Sequence, residues 1–357
     1  MRRTLTALLA AAALAGPATA QDTWPLMVPA IPFDDESPLS PVDYRPLDRA
    51  SRDWHLCILY PHLKDAYWLS VNYGMVEEAR RLGLSFEVFE AGGYPNLSRQ
   101  IDQLRACGSD AFDAVILGAV SYQGLTSTVL DIAATKPVIA AVNDIDDRGI
   151  TAKAAVPWRE MGAAAGRVIA ERHPAGSPPV NVAWFPGPKG AGWVTFVEDG
   201  FRAELARSSA RLVATKYGDT GLEEQVLLVE EALDEQPDID YLAGSGPMAE
   251  AAVSILRARG LTGRVQIVST YISHAVYRGI MRGRILAAPT DFAAMQGRLS
   301  VEMAARALEG SLVHSHAGPR ITTVTPDSIA TIGAEGSLAP ASFVPIFTLR
   351  AGTDSGN

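Results

Sequence analysis

Beyond Ala20 no stretch of this chain is apolar for long enough to cross a bilayer, cysteine occurs only twice in 357 residues, and histidine only six times. Basic charge is also short, because 31 Lys and Arg against 40 Asp and Glu leave a formal net charge of −9. Each shortage removes a class of function. Without a basic footprint the chain has nothing with which to neutralise phosphates, which excludes a nucleic-acid partner. His314 and His316 stand two apart with no cysteine or second pair beside them, so no metal shell forms and no cofactor is implied. The glycine-rich GPKGAG (187–192) lacks the Gly-Lys-Ser/Thr ending of a phosphate loop, and Gly244-Ser245-Gly246 lacks the spacing of a nucleophile elbow. The adjacent acids Asp34-Asp35 and Glu223-Glu224 suit solvent or a helix start and suggest no acid/base couple. An enzyme is therefore not expected.

What the chain does have begins at its start. Arg2 and Arg3, an uncharged apolar run from Leu5 to Ala15 and the triplet Ala18-Thr19-Ala20 read as a cleavable secretory signal. The apolar run is shorter than the ~20 residues a membrane span needs. Residues 1–20 are expected to be removed near Ala20 and the mature protein to work in the periplasm. The remaining length exceeds what one core organises, which predicts two lobes.

Residues 21–50 carry Pro25, Pro29, Pro32, Pro38, Pro41 and Pro46 without apolar periodicity and read as an extended N-terminal arm. From Trp54 onward, short apolar runs such as HLCILY (55–60), LSFEVFE (84–90) and DAVILG (113–118) alternate with segments of helical spacing, and the rhythm restarts near Trp158. The pattern predicts an α/β protein: two doubly wound parallel-sheet lobes joined by a multi-strand hinge. The N-terminal lobe is placed at 51–145 plus 290–316, and the C-terminal lobe at 146–289 plus 317–350. In a sheet ordered 2-1-3, the helix linking strands two and three crosses strand one and brings Cys107 to the same end as Cys57. A disulfide between them is predicted, with two buried thiols as the alternative.

Such sheets bind ligands outside the carboxyl ends of their strands. Those ends carry Asp65, Tyr67 and Trp68, then Tyr94, Asn143 and Asp144, Trp158, Tyr271 and Asp291. Any one aromatic there is readily explained as a cap on the core. Together, from strand ends of both lobes, they point into one cleft. Aromatic faces attract quaternary ammonium groups at ~0.5–2 kcal/mol per contact. A sugar would need many more polar partners, since each unpaired buried hydroxyl costs ~1–3 kcal/mol. The pattern favours a compact, methyl-rich cationic or dipolar solute.

The order of elements over about residues 54–349 resembles the type I periplasmic binding proteins of the ribose-binding class. YPHLKDAYWLSVNYGM (60–75), AGGYPNL (91–97), VPW (156–158) and STYI (269–272) are similar to the trimethylamine N-oxide sensors of that class. Tyr271 stands where sugar-binding members carry an acid, and the segments at Trp193 and Gly244-Ser245-Gly246 lack their arginine and asparagine. The resemblance implies trimethylamine N-oxide or a similar methylated amine as ligand and a membrane sensor histidine kinase of a two-component system as partner. It places Tyr67, Trp68, Tyr94, Trp158 and Tyr271 around the trimethyl group, with Asp65 supplying negative charge. The alternative it leaves open is the substrate-binding component of an importer for a methylated amine or sugar-like solute.

Overall fold

The computed structural model describes residues 23–34 and 36–352. The leader expected at 1–20 lies outside the described residues.

The first lobe is organised by β3 (His55–Tyr60), whose side chains alternate between two cores. Leu56, Ile58 and Tyr60 face one apolar cluster, while Cys57 and Leu59 face another. A strand covered on both faces reads as an unbroken apolar run, as HLCILY does. Helix α1 (Ala66–Leu82) leads to β4 (Ser85–Glu90), α2 (Leu97–Cys107) to β5 (Ala114–Leu117), and α3 (Thr126–Ala133) to β6 (Val138–Ala141). β4 and β5 flank β3 on opposite sides and all three run parallel. The crossover helix α2 therefore passes over β3, and Cys107 at its end is joined to Cys57 by a disulfide with a Cα–Cα distance of 5.7 Å.

The second lobe repeats the plan with α4 (Trp158–Ala170), β8 (Val180–Phe185), α5 (Gly192–Leu205), β9 (Ala210–Thr215), α6 (Leu222–Glu235), β10 (Tyr241–Gly244), α7 (Gly246–Ala258), β11 (Gln266–Ser269) and α8 (His274–Met281). Its parallel sheet is ordered β11-β10-β8-β9. In each lobe one helix pair touches through small residues. A Cβ on Gly74 of α1 would collide with the Ala294 carbonyl of α9 (Ala293–Leu308), and one on Gly162 of α4 with the Val197 carbonyl of α5.

Two expectations need correction. The arm is extended but not unpacked: β1 (Trp24–Pro29) and β2 (Leu39–Tyr44) form an antiparallel hairpin, and β1 also pairs with β13 (His316–Pro319), which builds the arm into the first sheet. The prolines permit it by their parity. Ala30 N–H bonds the Pro38 carbonyl, so even-numbered residues of β1 face β2, and Pro25 and Pro29 turn their missing N–H away from that ladder. Pro41 faces outward from the edge strand, where a missing donor costs no ladder bond.

The lobe boundaries also shift. β7 (Ala152–Ala154), β15 (Thr348–Leu349) and all of β13 but His316 fall within the ranges expected for the C-terminal lobe, yet they belong to the first sheet, ordered β15-β4-β3-β5-β6-β7-β13-β1-β2. These strands are two to four residues long and continue the sheet by main-chain pairing, so they carry little apolar pattern to read. The chain crosses between lobes after β7, after β12 (Ala288–Thr290), between β13 and β14 (Thr322–Val324), and again after α10 (Ile329–Ile332) on its way to β15.

Candidate ligand-binding site

The carboxyl ends of the two sheets face each other. Between them Asp65, Tyr67, Trp68, Tyr94 and Asn143 of the first lobe and Trp158, Trp193, Thr220 and Tyr271 of the second line a narrow cavity. All nine are buried. The room left for a solute between the rings is only about 10 Å³, far below the ~300–1,000 Å³ usual for small-molecule pockets, so the lobes stand closed down on the site and a solute must part them.

Local structure sets each side chain. Asp65 is the N-cap of α1: its Oδ1 accepts the Tyr67 N–H at 2.9 Å, which fixes the two aromatics that follow in the first turn. Its Oδ2 accepts the Tyr271 hydroxyl at 2.6 Å across the cleft. Asp291 lies behind Tyr67 and accepts its hydroxyl at 2.5 Å and the Gln296 amide at 2.7 Å. Burial raises the pKa of both carboxyls, and the phenol donors pull it back. Burial first, and the neighbouring carboxylates second, hold the Tyr67 and Tyr271 phenols well above their ordinary range, so both stay protonated.

Tyr94 is differently placed. Its oxygen accepts from Asn143 Nδ2 and from Trp193 Nε1, each at 3.0 Å. With both lone pairs engaged, the hydroxyl proton is left to donate. Trp158 opens α4, and its indole N–H bonds the Val142 carbonyl at 2.8 Å. Val142 has φ 68°, a left-handed conformation that is strained for a β-branched residue at ~1–3 kcal/mol. The lobes are thus bridged by Asp65–Tyr271, Tyr94–Trp193 and Val142–Trp158, and further by His62 Nε2 to Thr220 Oγ1 at 2.9 Å.

Of the expected residues, Asp65, Tyr67, Trp68, Tyr94, Asn143, Trp158 and Tyr271 line the cavity, and Asp291 supports it from behind. Asp144 does not belong to it. Its carboxylate lies 2.5 Å from Lys153 Nζ with both groups buried, since a charge taken from water needs a partner. Trp193 and Thr220 line the cavity and were not among the expected residues. Trp193 had a readable signal: like Trp68 and Trp158, it sits in the first turn of a helix. Thr220, in a polar loop after β9, had none. Among the described residues no His, Cys, Asp and Glu cluster that could hold a metal is present.

Two doubly wound lobes joined by four crossings, with a closed cavity at the facing strand ends, define a solute-binding protein of the periplasmic type. Residues 53–333 match the family of periplasmic binding proteins and sugar binding domain of the LacI family, and the chain belongs to that family. It is 41% identical over 301 residues to the periplasmic protein TorT of Escherichia coli K12, covering 84% of this chain and 86% of TorT. A crystal structure of the TorS sensor domain–TorT complex in the presence of TMAO contains a chain similar at 40% identity with a TM-score of 0.74, over 83% of this chain and all of that one. An ABC transporter solute-binding protein from Bradyrhizobium sp. BTAi1, with bound bis-tris, is 44% identical with a TM-score of 0.78 over 93% of this chain and all of that one.

Proposed function

We propose that this protein is a periplasmic sensor that closes on trimethylamine N-oxide and reports its ligand state to a TorS-like membrane sensor histidine kinase. The likeness to TorT over most of both chains, and to TorT in its complex with the TorS sensor domain, supports the assignment. The observation that carries the ligand chemistry is the small aromatic cavity backed by two carboxylates.

In this reading the trimethylammonium end lies among the rings of Tyr67, Trp68, Trp158, Trp193 and Tyr271. A phenol that donates to a carboxylate gains electron density, so Asp65 and Asp291 strengthen the pull of Tyr271 and Tyr67 on a cation. The N-oxide oxygen, an acceptor only, takes the free proton of Tyr94. A sugar fits poorly because the polar groups are already committed. Both oxygens of Asp65 accept protein bonds, and Asn143 Nδ2 serves Tyr94 and the Ala119 carbonyl.

The site binds without turnover. Its phenols are held protonated and its carboxylates accept from them, and the Thr220 hydroxyl meets the Nε2 proton of a His62 ring whose Nδ1 accepts the Lys64 N–H, which leaves no nucleophile with a free base. Calorimetry on the mature chain tests the reading: trimethylamine N-oxide is expected to bind and to be recovered unchanged. A response to a pentose or hexose with none to the N-oxide overturns it. The likeness to the Bradyrhizobium solute-binding protein favours a second reading, an importer component for a methylated amine. Co-elution of the protein with the periplasmic domain of a TorS-like kinase separates the two.

A further inference from the structure

Two rings of the cage rest on glycines that do not themselves line the cavity. A Cβ built on Gly118, which follows β5, would stand 2.5 Å from Cη2 and 2.9 Å from Cζ3 of Trp68. One built on Gly246, the first residue of α7, would stand 2.7 Å from Cε2 of Tyr271. Neither glycine has a positive φ. The φ angles would accept alanine at both positions; at Gly246 only the Tyr271 ring forbids it, and at Gly118 the Trp68 ring is the main obstacle, with the Leu59 carbonyl a tight 3.2 Å from the added Cβ. Gly187, after β8, seats Trp193 in the same way, but its φ of 118° already demands glycine.

We propose that Gly118 and Gly246 set the width of the cage, and with it the size of the solute head group that it accepts. This rests on the reading of the cleft as a methylated-amine site. Restoring ordinary contact at 3.4 Å would displace the Trp68 ring by about 0.9 Å and the Tyr271 ring by about 0.7 Å, and interiors packed to near-crystalline density leave few places to go. Trp68 is hemmed by Tyr60 and Tyr67, and Tyr271 by Tyr67 and Trp193. The adjoining atom-free space is the cavity, so each ring moves inward. The glycines are positioning residues: they touch no ligand, and they act by letting the rings retreat far enough to admit a third methyl group.

Gly118→Ala and Gly246→Ala would be titrated calorimetrically with trimethylamine N-oxide and with the smaller dipolar oxide dimethyl sulfoxide, alongside thermal melts. Each variant is expected to lose at least tenfold affinity for the N-oxide and less for the sulfoxide. The ratio between the two ligands then moves at least threefold toward the smaller one, a change that loss of fold alone does not produce. Trp68→Phe in the Gly118→Ala background is expected to recover N-oxide affinity relative to Gly118→Ala, because the shorter ring frees the seat. An unchanged ligand ratio in both alanine variants, or no recovery in the double variant, overturns the proposal. Wild-type protein that binds neither solute overturns the reading of the cleft. The seating is then judged by a crystal structure of Gly118→Ala, where an unmoved Trp68 ring refutes it.

Discussion

Tyr94→Phe removes one oxygen from the cleft and leaves the ring's shape intact. With the lobes together that oxygen accepts the indole N–H of Trp193 and one amide hydrogen of Asn143, and keeps its own proton for the ligand. The variant strands the Trp193 N–H in a dry site, at a cost of ~1–3 kcal/mol, and removes a donor to a charged oxygen worth ~1.5–3 kcal/mol. Asn143 loses little, since its amide still reaches the Ala119 carbonyl at 2.8 Å. Both penalties exist only when the lobes meet, because in separated lobes the indole N–H is free to bond water. The loss should therefore fall on binding, not on folding. Taking the lower bounds together, about 2.5 kcal/mol, affinity for trimethylamine N-oxide is expected to fall at least about fiftyfold. Calorimetry gives the affinity, and a melt without ligand gives the stability. A change under threefold, or a loss matched by a drop in the ligand-free melting temperature, would refute the assignment of the Tyr94 proton.

Trp158→Ala removes a cage wall and the bond to Val142 and should weaken N-oxide binding by roughly 1–3 kcal/mol; unchanged affinity in the same titration would demote the ring to core packing. His316 gives a pH dependence, because burial, with Lys153 nearby, pushes its imidazole down to about 3 while its Nδ1 accepts the Phe33 N–H. Between that value and the unfolded ~6.5 the unfolded chain binds more protons, so stability falls on acidification, by up to ~2 kcal/mol from pH 6.5 to 5. Urea melts at both pH values should show a smaller drop for His316→Gln, and an equal drop would count against the imidazole as the source. The Cys57–Cys107 bridge spans a separation of 50 residues. On the chain-entropy account it contributes about 2–4 kcal/mol, so a reductant should lower the urea midpoint; an unmoved midpoint would contradict it.

The sequence showed the fold best where strands are covered on both faces. HLCILY and the runs after it can serve only as interior strands, and helical spacing between them dictates parallel crossovers. It failed where pairing is a main-chain matter. β7 reads Ala-Lys-Ala, and its lysine is buried only because Asp144 meets it. The same pair explains why Asp144 was misplaced: a carboxylate at a strand end looks like a ligand group until the cation behind it is seen. The hairpin was hidden by prolines whose parity, not their number, decides whether a strand tolerates them. In the site, the aromatics were legible because a large ring after a strand end is unusual. Thr220 was not, because a threonine among Gly218, Asp219 and Gly221 is what any loop contains.

The bridging bonds bear on how so small a solute can operate a switch. Driving a two-state equilibrium from 1:99 to 99:1 takes ~5.5 kcal/mol of differential affinity. A ligand of ~5 heavy atoms has at most ~1.5 kcal/mol per atom to offer, ~7.5 kcal/mol in all. Little margin remains if closure is costly in its own right. Asp65–Tyr271, Tyr94–Trp193, Val142–Trp158 and His62–Thr220 are made between lobes by the protein alone. At a net ~0.5–1.5 kcal/mol each they offset part of the entropy lost on closure, which brings the unliganded equilibrium within reach of the solute. Cage and latch then share the same residues for a physical reason: the groups that hold the lobes together are also those whose remaining faces and one remaining proton are turned toward the ligand.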